Sequence, residues 1–528
     1  MYLCQKISIN NSLLQVALFL LYNVYFAFAI YSTWDEASSF CDGIKFLTVI
    51  TAIAYFFALY SYVFKAHMLK RLRPYLKPLA KLINKLFLFS WLPRVVWSTL
   101  WGAVIIFLIL DTYDDRYRLV SAAGLTVFIF LGYVFSKHRR KIIWRRLLWG
   151  IFVQFCIGLL ILRWSVGKDI FRCLGDKVKG FLDITDKGSS FVFGYLVTGS
   201  LTDAALQPAI FAFKVLSVII FFSFIVSLLY YYGIMQVLVM KVGWLLQHTI
   251  GTTACESMNA AANIFLGMTE APLLIRPYLP LMTKSEIHAV MTGGFATIAG
   301  SVLAAYINFG INASHLLSAS VMAAPAALAF SKLVYPETEE SKTQASSIKI
   351  EKGTESNALE AATNGASTAI KLVSSIAANL IAFVAFIALL DTVLSWMGSL
   401  IHWDFLSFEW VMSKLFIPVS LLMGVDWDDK EKVANLVGLK MVVNEFVAYK
   451  RLADYQKDNQ LSARSEAIAT YALCGFSNIS SIGIQIGTLS AMAPSRKSDF
   501  AQIALRAMIT GMATCFLNAC VAGTLLQQ

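Results

Sequence analysis

The sequence predicts an all-α polytopic membrane protein whose second half carries two paired, broken helices. Three observations lead there. The 528 residues are 58% hydrophobic and only 14% charged, with a mean hydropathy of +0.66. Apolar runs long enough to span a bilayer recur from one end of the chain to the other. In the second half, such runs are interrupted by Gly, Pro, Asn and Ser at matching places. This composition excludes an ordinary soluble globule. The net charge of +12 does not argue for nucleic acid, because the basic residues cluster beside apolar segments.

Six spans are expected in the first half, at about 13–33, 44–64, 92–111, 118–136, 147–163 and 207–232. The first is followed by further spans and has no cleavage pattern, so it reads as a membrane helix and not as a leader. "KAHMLKRLRPYLKPLAKLINK" separates spans two and three, and "KHRRKIIWRR" separates four and five. The opposite loops, "WDEASSFCDG" and "TYDDRYR", are mixed or acidic. The positive-inside rule then puts the N-terminus in the cytoplasm and the C-terminus outside, with the plasma membrane as the expected location. Eight cysteines show no metal or disulfide spacing. Cys41 and Cys173 fall outside the apolar runs, and their pairing is left open.

The second half is divided by a polar segment over 336–366 into two similar parts. Each has a polar-interrupted segment bearing one glutamate, then a Gly-rich broken helix, then an apolar span. "GMTEAPLLIRPYLP" (267–280), "VMTGGFATIAGSVLAAYI" (290–307) and 313–333 form the first series. "GLKMVVNEFVAY" (438–449), "YALCGFSNISSIGIQIG" (471–487) and 499–525 form the second. Broken helices survive at membrane depth only where they are buried or line a cavity. Their pairing in two halves points to a solute site at the repeat interface. The expected organisation is therefore N-terminal helices with basic loops (1–146), scaffold helices with an interfacial segment (147–235), a first repeat (236–335), a cytoplasmic loop (336–366), a scaffold helix with its connection (367–425) and a second repeat (426–528).

Glu270 and Glu445 each stand in an apolar neighbourhood, where a carboxylate costs about 2.5–3.5 kcal/mol to insert. Such residues usually face a cavity; the structural alternative pairs Glu270 with Arg276 and Glu445 with Lys440. Asn263, Thr269, Thr297 and Ser301 accompany the first glutamate, and Asn444, Asn478, Ser480, Ser481 and Gln485 the second. Amides and hydroxyls suit a neutral, polar solute, and oxygen ligands suit a hard monovalent cation. Helix–helix hydrogen bonding is the alternative for any one of them. Met268 adds a pliable thioether that serves equally well as packing. The sequence holds no P-loop, nucleophile elbow or GxGxxG, and its six histidines show no ligand spacing. An enzyme is therefore not expected, and no organic cofactor. The sequons "NNS" (10–12), "NAS" (312–314) and "NIS" (478–480) fall on the cytoplasmic side, in a very short turn and inside the membrane, respectively.

The stretches "NIFLGMTEAPLLIRPYLP", "GGFATIAGSVLAAYI", "GLKMVVNEFVAY", "YALCGFSNISSIGIQIG" and "MAPSRK" resemble the concentrative nucleoside transporter family over about 200–526. Six spans before the first hairpin resemble its animal members. The resemblance implies an inverted repeat with about 11 transmembrane helices, two re-entrant hairpins and two broken helices, assembled as a homotrimer in the lipid bilayer, each protomer with a scaffold and a transport domain, importing nucleosides by sodium-coupled symport through alternating access. By matching position, Thr269 and Glu270 would hold the nucleobase, with Gly267, Met268 and Val302 beside them. Glu445, Asn478 and Ser481 would hold the ribose hydroxyls, with Phe476 alongside. Sodium, the coupling ion, would sit by Asn263, Leu266, Thr297 and Ile298. Arg276, Lys440 and Asn444 would serve structure. Gly267–Met268 resembles purine-preferring members and Ser301–Val302 broadly selective ones, so purine nucleosides and uridine are expected, with broad selectivity or proton coupling as alternatives. A channel-like pore would need rings of like charge, which are not found.

Overall fold

The computed structural model describes residues 2–33, 41–59, 92–199, 210–343 and 355–527, and contains no strand among them. It forms two units, Met1–Asp111 and Thr112–Gln528. The first comprises α1 (Tyr2–Thr33), α2 (Gly43–Leu59) and α3 (Leu92–Asp111). Within it the Tyr22 and Thr51 hydroxyls pair, and Tyr55 donates to Asn23 Oδ1 at 2.7 Å. The basic stretch 65–85 and the end of the second expected span lie outside the described residues. Cys41 and Cys173 are each disulfide-bonded, whereas Cys156, Cys255, Cys474, Cys515 and Cys520 are free.

The second unit opens with α4 (Arg118–Val134), α5 (Trp144–Gly158) and a π turn at Leu159–Arg163. Then come α6 (Ser165–Asp183), α7 (Thr185–Phe193), α8 (Phe211–Tyr231) and α9 (Ile234–Ile250). A helix–break–helix hairpin follows: α10 (Ala254–Ala262) and a 3-10 helix, Ala271–Leu281. The broken helix α11 (Lys284–Ala296) and α12 (Gly300–Phe309) leads to α13 (Ala313–Val334). After α14 (Ala358–Ser399) and α15 (Phe408–Leu422) the pattern repeats. α16 (Lys430–Val442) and α17 (Glu445–Lys457) form the second hairpin, α18 (Ala463–Leu473) and α19 (Ile479–Met492) the second broken helix, and α20 (Lys497–Leu525) the closing span.

Among the described residues, six segments are long and apolar enough to cross a membrane: Trp144–Arg163, Ala212–Tyr231, Lys284–Phe309, Ala313–Val334, Ala358–Ser399 and Pro494–Leu525. They divide by burial. In their most apolar 18-residue stretches, 94% of the α11–α12 residues are buried and only 6% of those of α14. Composition explains the contrast. α13 is rich in Ala and Ser, and α20 in Ala with Gly511 and Gly523, small residues that let backbones approach closely in an apolar solvent. α14 instead exposes Ile381, Val384, Phe386 and Leu389. Its 42 residues run about 63 Å at 1.5 Å per residue, twice a hydrocarbon core. Polar pins hold the surrounding helices to the core. Arg118 donates to the Thr524 carbonyl at 2.6 and 3.0 Å, a cation on the last turn of α20. Gln154 donates to Asn518 Oδ1 at 2.7 Å.

The polar segment expected over 336–366 is shorter than its composition implies. α14 begins at Ala358, because Asn357 caps it by accepting from Glu360 N at 2.9 Å and an Ala-rich first turn follows. Its other end is tied down: Ser341 and Thr343 donate to the buried Glu286 carboxylate at 2.5 and 2.6 Å. Residues 344–354 lie outside the described residues.

Candidate functional site

Four interruptions build the site. In the first hairpin, α10 gives way at Asn263, and Pro272, Pro277 and Pro280 deny the return limb α-helical donors, so it runs as a 3-10 helix. In the second, Val443 ends α16 and Asn444 restarts the chain as α17 by accepting from Val447 N at 3.1 Å. In the first broken helix, Thr297 and Ala299 are extended before α12 resumes at Gly300. In the second, Cys474 ends α18 and Asn478 caps α19 by accepting from Ser481 N at 2.8 Å.

These interruptions are stitched to one another. Gly300 N donates to the Phe265 carbonyl at 3.2 Å, joining the first break to the first hairpin tip. Phe476 N donates to the Thr297 carbonyl, also at 3.2 Å, so the two broken helices cross at their breaks. Gly475 permits that crossing: a Cβ there would come within 2.7 Å of the Phe295 carbonyl oxygen and of Cys515 Sγ. The N-termini of α12, α17 and α19 consequently converge on one cavity.

The cavity has a volume of about 90 Å³. Its walls are Gly267, Met268, Thr269, Glu270, Ala299 and Val302 from the first repeat, Asn444, Glu445, Phe446, Phe476, Asn478, Ser480, Ser481 and Ile484 from the second, and Leu372 and Ile376 from α14. All nine residues expected to meet a solute therefore line one space. Ligand pockets usually hold about 300–1,000 Å³, so a solute of nucleoside size requires these walls to part. Glu445 is the polar hub. Its carboxylate accepts from the Tyr306 hydroxyl at 3.1 Å and from Asn478 Nδ2 at 3.0 Å, one partner from each repeat. Glu270 is half-buried and accepts from Gly267 N at 3.2 Å, which closes its own turn.

A second cluster of oxygens lies behind the first hairpin tip. Asn263 is buried with both amide atoms unpartnered. The carbonyls of Leu266 and Ile298 accept no hydrogen bond from a described residue, although both residues are buried. Thr297 Oγ1 donates to the Gly293 carbonyl at 2.8 Å, which leaves its lone pairs free. Unpartnered buried amides cost about 1–3 kcal/mol unless a ligand meets them. A set of neutral oxygens suits a hard monovalent cation better than a divalent one. No group of His, Cys, Asp and Glu fit for a metal occurs among the described residues.

The supporting residues divide. Lys440 is fully buried and donates to the Ala472 carbonyl at 2.9 Å, at the negative end of α18, so it braces the second break and forms no ion pair with Glu445. Arg276 is exposed and forms no ion pair among the described residues, so the alternative that paired it with Glu270 does not hold here. Six residues of 3-10 helix put it about 12 Å along the axis from Glu270, on an outward ridge. Three features escaped sequence reasoning. Tyr306 carried a signal, a hydroxyl in a Gly-rich broken helix. Leu372 and Ile376 carried none. The buried ion pair of Lys332 with Glu256 joins residues far apart in the chain.

Comparison with known proteins gives one answer along most of the chain. Residues 123–196 match the family described as Na+ dependent nucleoside transporter N-terminus, 212–312 that described as Nucleoside recognition, and 315–523 that described as Na+ dependent nucleoside transporter C-terminus. Human solute carrier family 28 member 3 is 49% identical over 494 residues, 91% of this chain and 70% of the relative. Sodium/nucleoside cotransporter 1 of Mus musculus is 48% identical, covering 91% and 74%. The solved structure of CNTnw in an inward-facing substrate-bound state is 37% identical, with a TM-score of 0.73 over 78% of this chain and 98% of that one. A variant of CNTnw in an outward-facing state gives 0.74 at the same identity, covering 78% and 97%.

Proposed function

Because the chain belongs to the sodium-dependent nucleoside transporter family, we propose that the cavity between its two repeats is the nucleoside site and the oxygens behind it the sodium site. The protein is a multi-pass membrane transporter and not an enzyme, and it couples nucleoside movement to sodium.

One observation carries the site assignment: Glu445, on the cavity wall, is held by one hydrogen bond from each repeat. In our reading its remaining lone pairs, with Asn478 and Ser481, take the ribose hydroxyls. Met268, Thr269, Glu270, Val302 and Phe476 surround the base. Sodium binds Asn263, Thr297 and the carbonyls of Leu266 and Ile298, and so ties the first hairpin to the first break. Because Phe476 N rests on the Thr297 carbonyl, an ion there also steadies the wall of the nucleoside site. Solute and ion then favour the same closed arrangement, which is the linkage that symport requires.

The two hairpins re-enter the membrane, and with the broken helices they move as a transport domain against a scaffold that includes α14. The nearly unburied faces of α14 meet lipid and partner copies in a homotrimer. The N-terminus is cytoplasmic, the C-terminus extracellular, and the membrane the plasma membrane. Met268, which cannot donate a hydrogen bond to a base edge, favours purine nucleosides and uridine. Ser301 and Val302 support broad selectivity as the second reading. Uptake of radiolabelled adenosine, inosine, uridine and cytidine into cells lacking nucleoside carriers, with sodium or with choline, tests the whole. Sodium-independent uptake, or none of any nucleoside, overturns it.

A further inference from the structure

The unpartnered oxygens do not end at the sodium site. Asn259 lies one turn before Asn263 on the same face of α10, about 6 Å closer to the hairpin base. It is 1% exposed. Its Nδ2 donates to the Val290 carbonyl at 3.3 Å, and its Oδ1 has no partner. It adjoins an apolar cluster: Met258, its chain neighbour, and Val290, whose carbonyl it meets, are buried together with Ile287, Met291 and Phe295. An amide oxygen held beside such a cluster without a donor is a liability unless something positive visits it.

Gly293 joins the two amides. A Cβ at this position would stand 2.9 Å from Asn263 Nδ2 and 3.8 Å from Asn259 Nδ2, so the absent side chain leaves bare backbone facing both. One turn further toward the base, on the same face of α10, comes Glu256, whose carboxylate pairs with Lys332.

We infer that Asn259 Oδ1 is a second position for the coupling cation, occupied as the ion leaves the Asn263 site toward the base of the first hairpin. The ligand class is a hard monovalent cation, met by amide and carbonyl oxygens. Two such ions about 6 Å apart would repel, so the positions serve one ion in turn, as neighbouring sites in a conducting pore do. This inference rests on the sodium reading above.

The test separates ion release from solute movement. In proteoliposomes, exchange of labelled for unlabelled nucleoside at saturating sodium on both sides does not need the ion to leave. Net sodium-driven uptake does. Asn259→Leu, close in shape but without the oxygen, should cut net uptake about tenfold and leave exchange within about twofold. Asn259→Ser and Asn259→Ala have similar volumes and differ by one oxygen, so the Ser variant should keep a net-to-exchange ratio that the Ala variant loses. This pair decides the matter if Asn259→Leu does not fold. Equal loss of both modes, or of neither, in all three variants overturns the inference while the sodium reading stands. A wild-type protein without sodium-driven uptake overturns both.

Discussion

Replacing Glu445 by Gln tests the solute site at its hub. In the native cavity the carboxylate accepts from Tyr306 and from Asn478, and its other lone pairs remain for hydroxyls. Gln preserves the shape but not this capacity. Its single oxygen would be held by Asn478 Nδ2, and its amide nitrogen would donate to the Tyr306 oxygen. Ribose is then left with the free lone pair of a neutral amide oxygen in place of a carboxylate. A hydrogen bond to a charged acceptor contributes about 1.5–3 kcal/mol against about 0.5–1.5 for a neutral one. Two ribose hydroxyls would thus lose roughly 2–3 kcal/mol, or roughly 30- to 150-fold in uptake at limiting nucleoside. Folding should not suffer, because the change removes a charge from a residue that is 3% exposed. The assay is adenosine uptake normalised to surface protein by biotinylation. Wild-type uptake by a variant present at normal surface level would refute the ribose role.

Three further outcomes are expected. Thr297→Ala should raise the sodium concentration for half-maximal uptake several-fold while the nucleoside KM at saturating sodium holds; an unchanged sodium curve would move the ion elsewhere or make a proton the coupling ion. Met268→Gln adds a donor and an acceptor beside the base, and should shift competition between adenosine and cytidine toward cytidine; an unchanged ratio would mark Met268 as packing and turn attention to Ser301 and Val302. Lys332→Met strands the buried Glu256 carboxylate and should destabilise the protein by about 3–5 kcal/mol, read as a lower Tm in detergent, with the double variant Glu256→Gln/Lys332→Met recovering much of the loss.

Much of this architecture was legible because its signals are local. Hydropathy marks a span within a window of about 20 residues, and Gly, Asn and Ser within such a window mark a break. Glu270 and Glu445 stood out because a carboxylate in an apolar run needs a reason. What depends on a distant partner was hidden. Leu372 and Ile376 reach the cavity from α14, but nothing distinguishes them from the lipid-facing residues of the same helix. Lys440 looked like a partner for Glu445, yet its acceptor is a backbone carbonyl, which leaves no trace in composition. Arg276 looked like a brace, and the 3-10 limb carries it away from Glu270. The segment over 336–366 read as a free loop because Ser341 and Thr343 are ordinary loop residues until Glu286 is folded beneath them.

The central claim is that solute and sodium bind on either side of one crossing, where Phe476 N meets the Thr297 carbonyl. The most direct measurement is nucleoside binding by the purified wild-type protein, titrated calorimetrically with adenosine in sodium and again in choline at equal ionic strength. The account predicts that sodium tightens adenosine, and that adenosine tightens sodium by the same factor, of the order of 5- to 150-fold for a typical coupling. Equal adenosine affinity in sodium and in choline would contradict it.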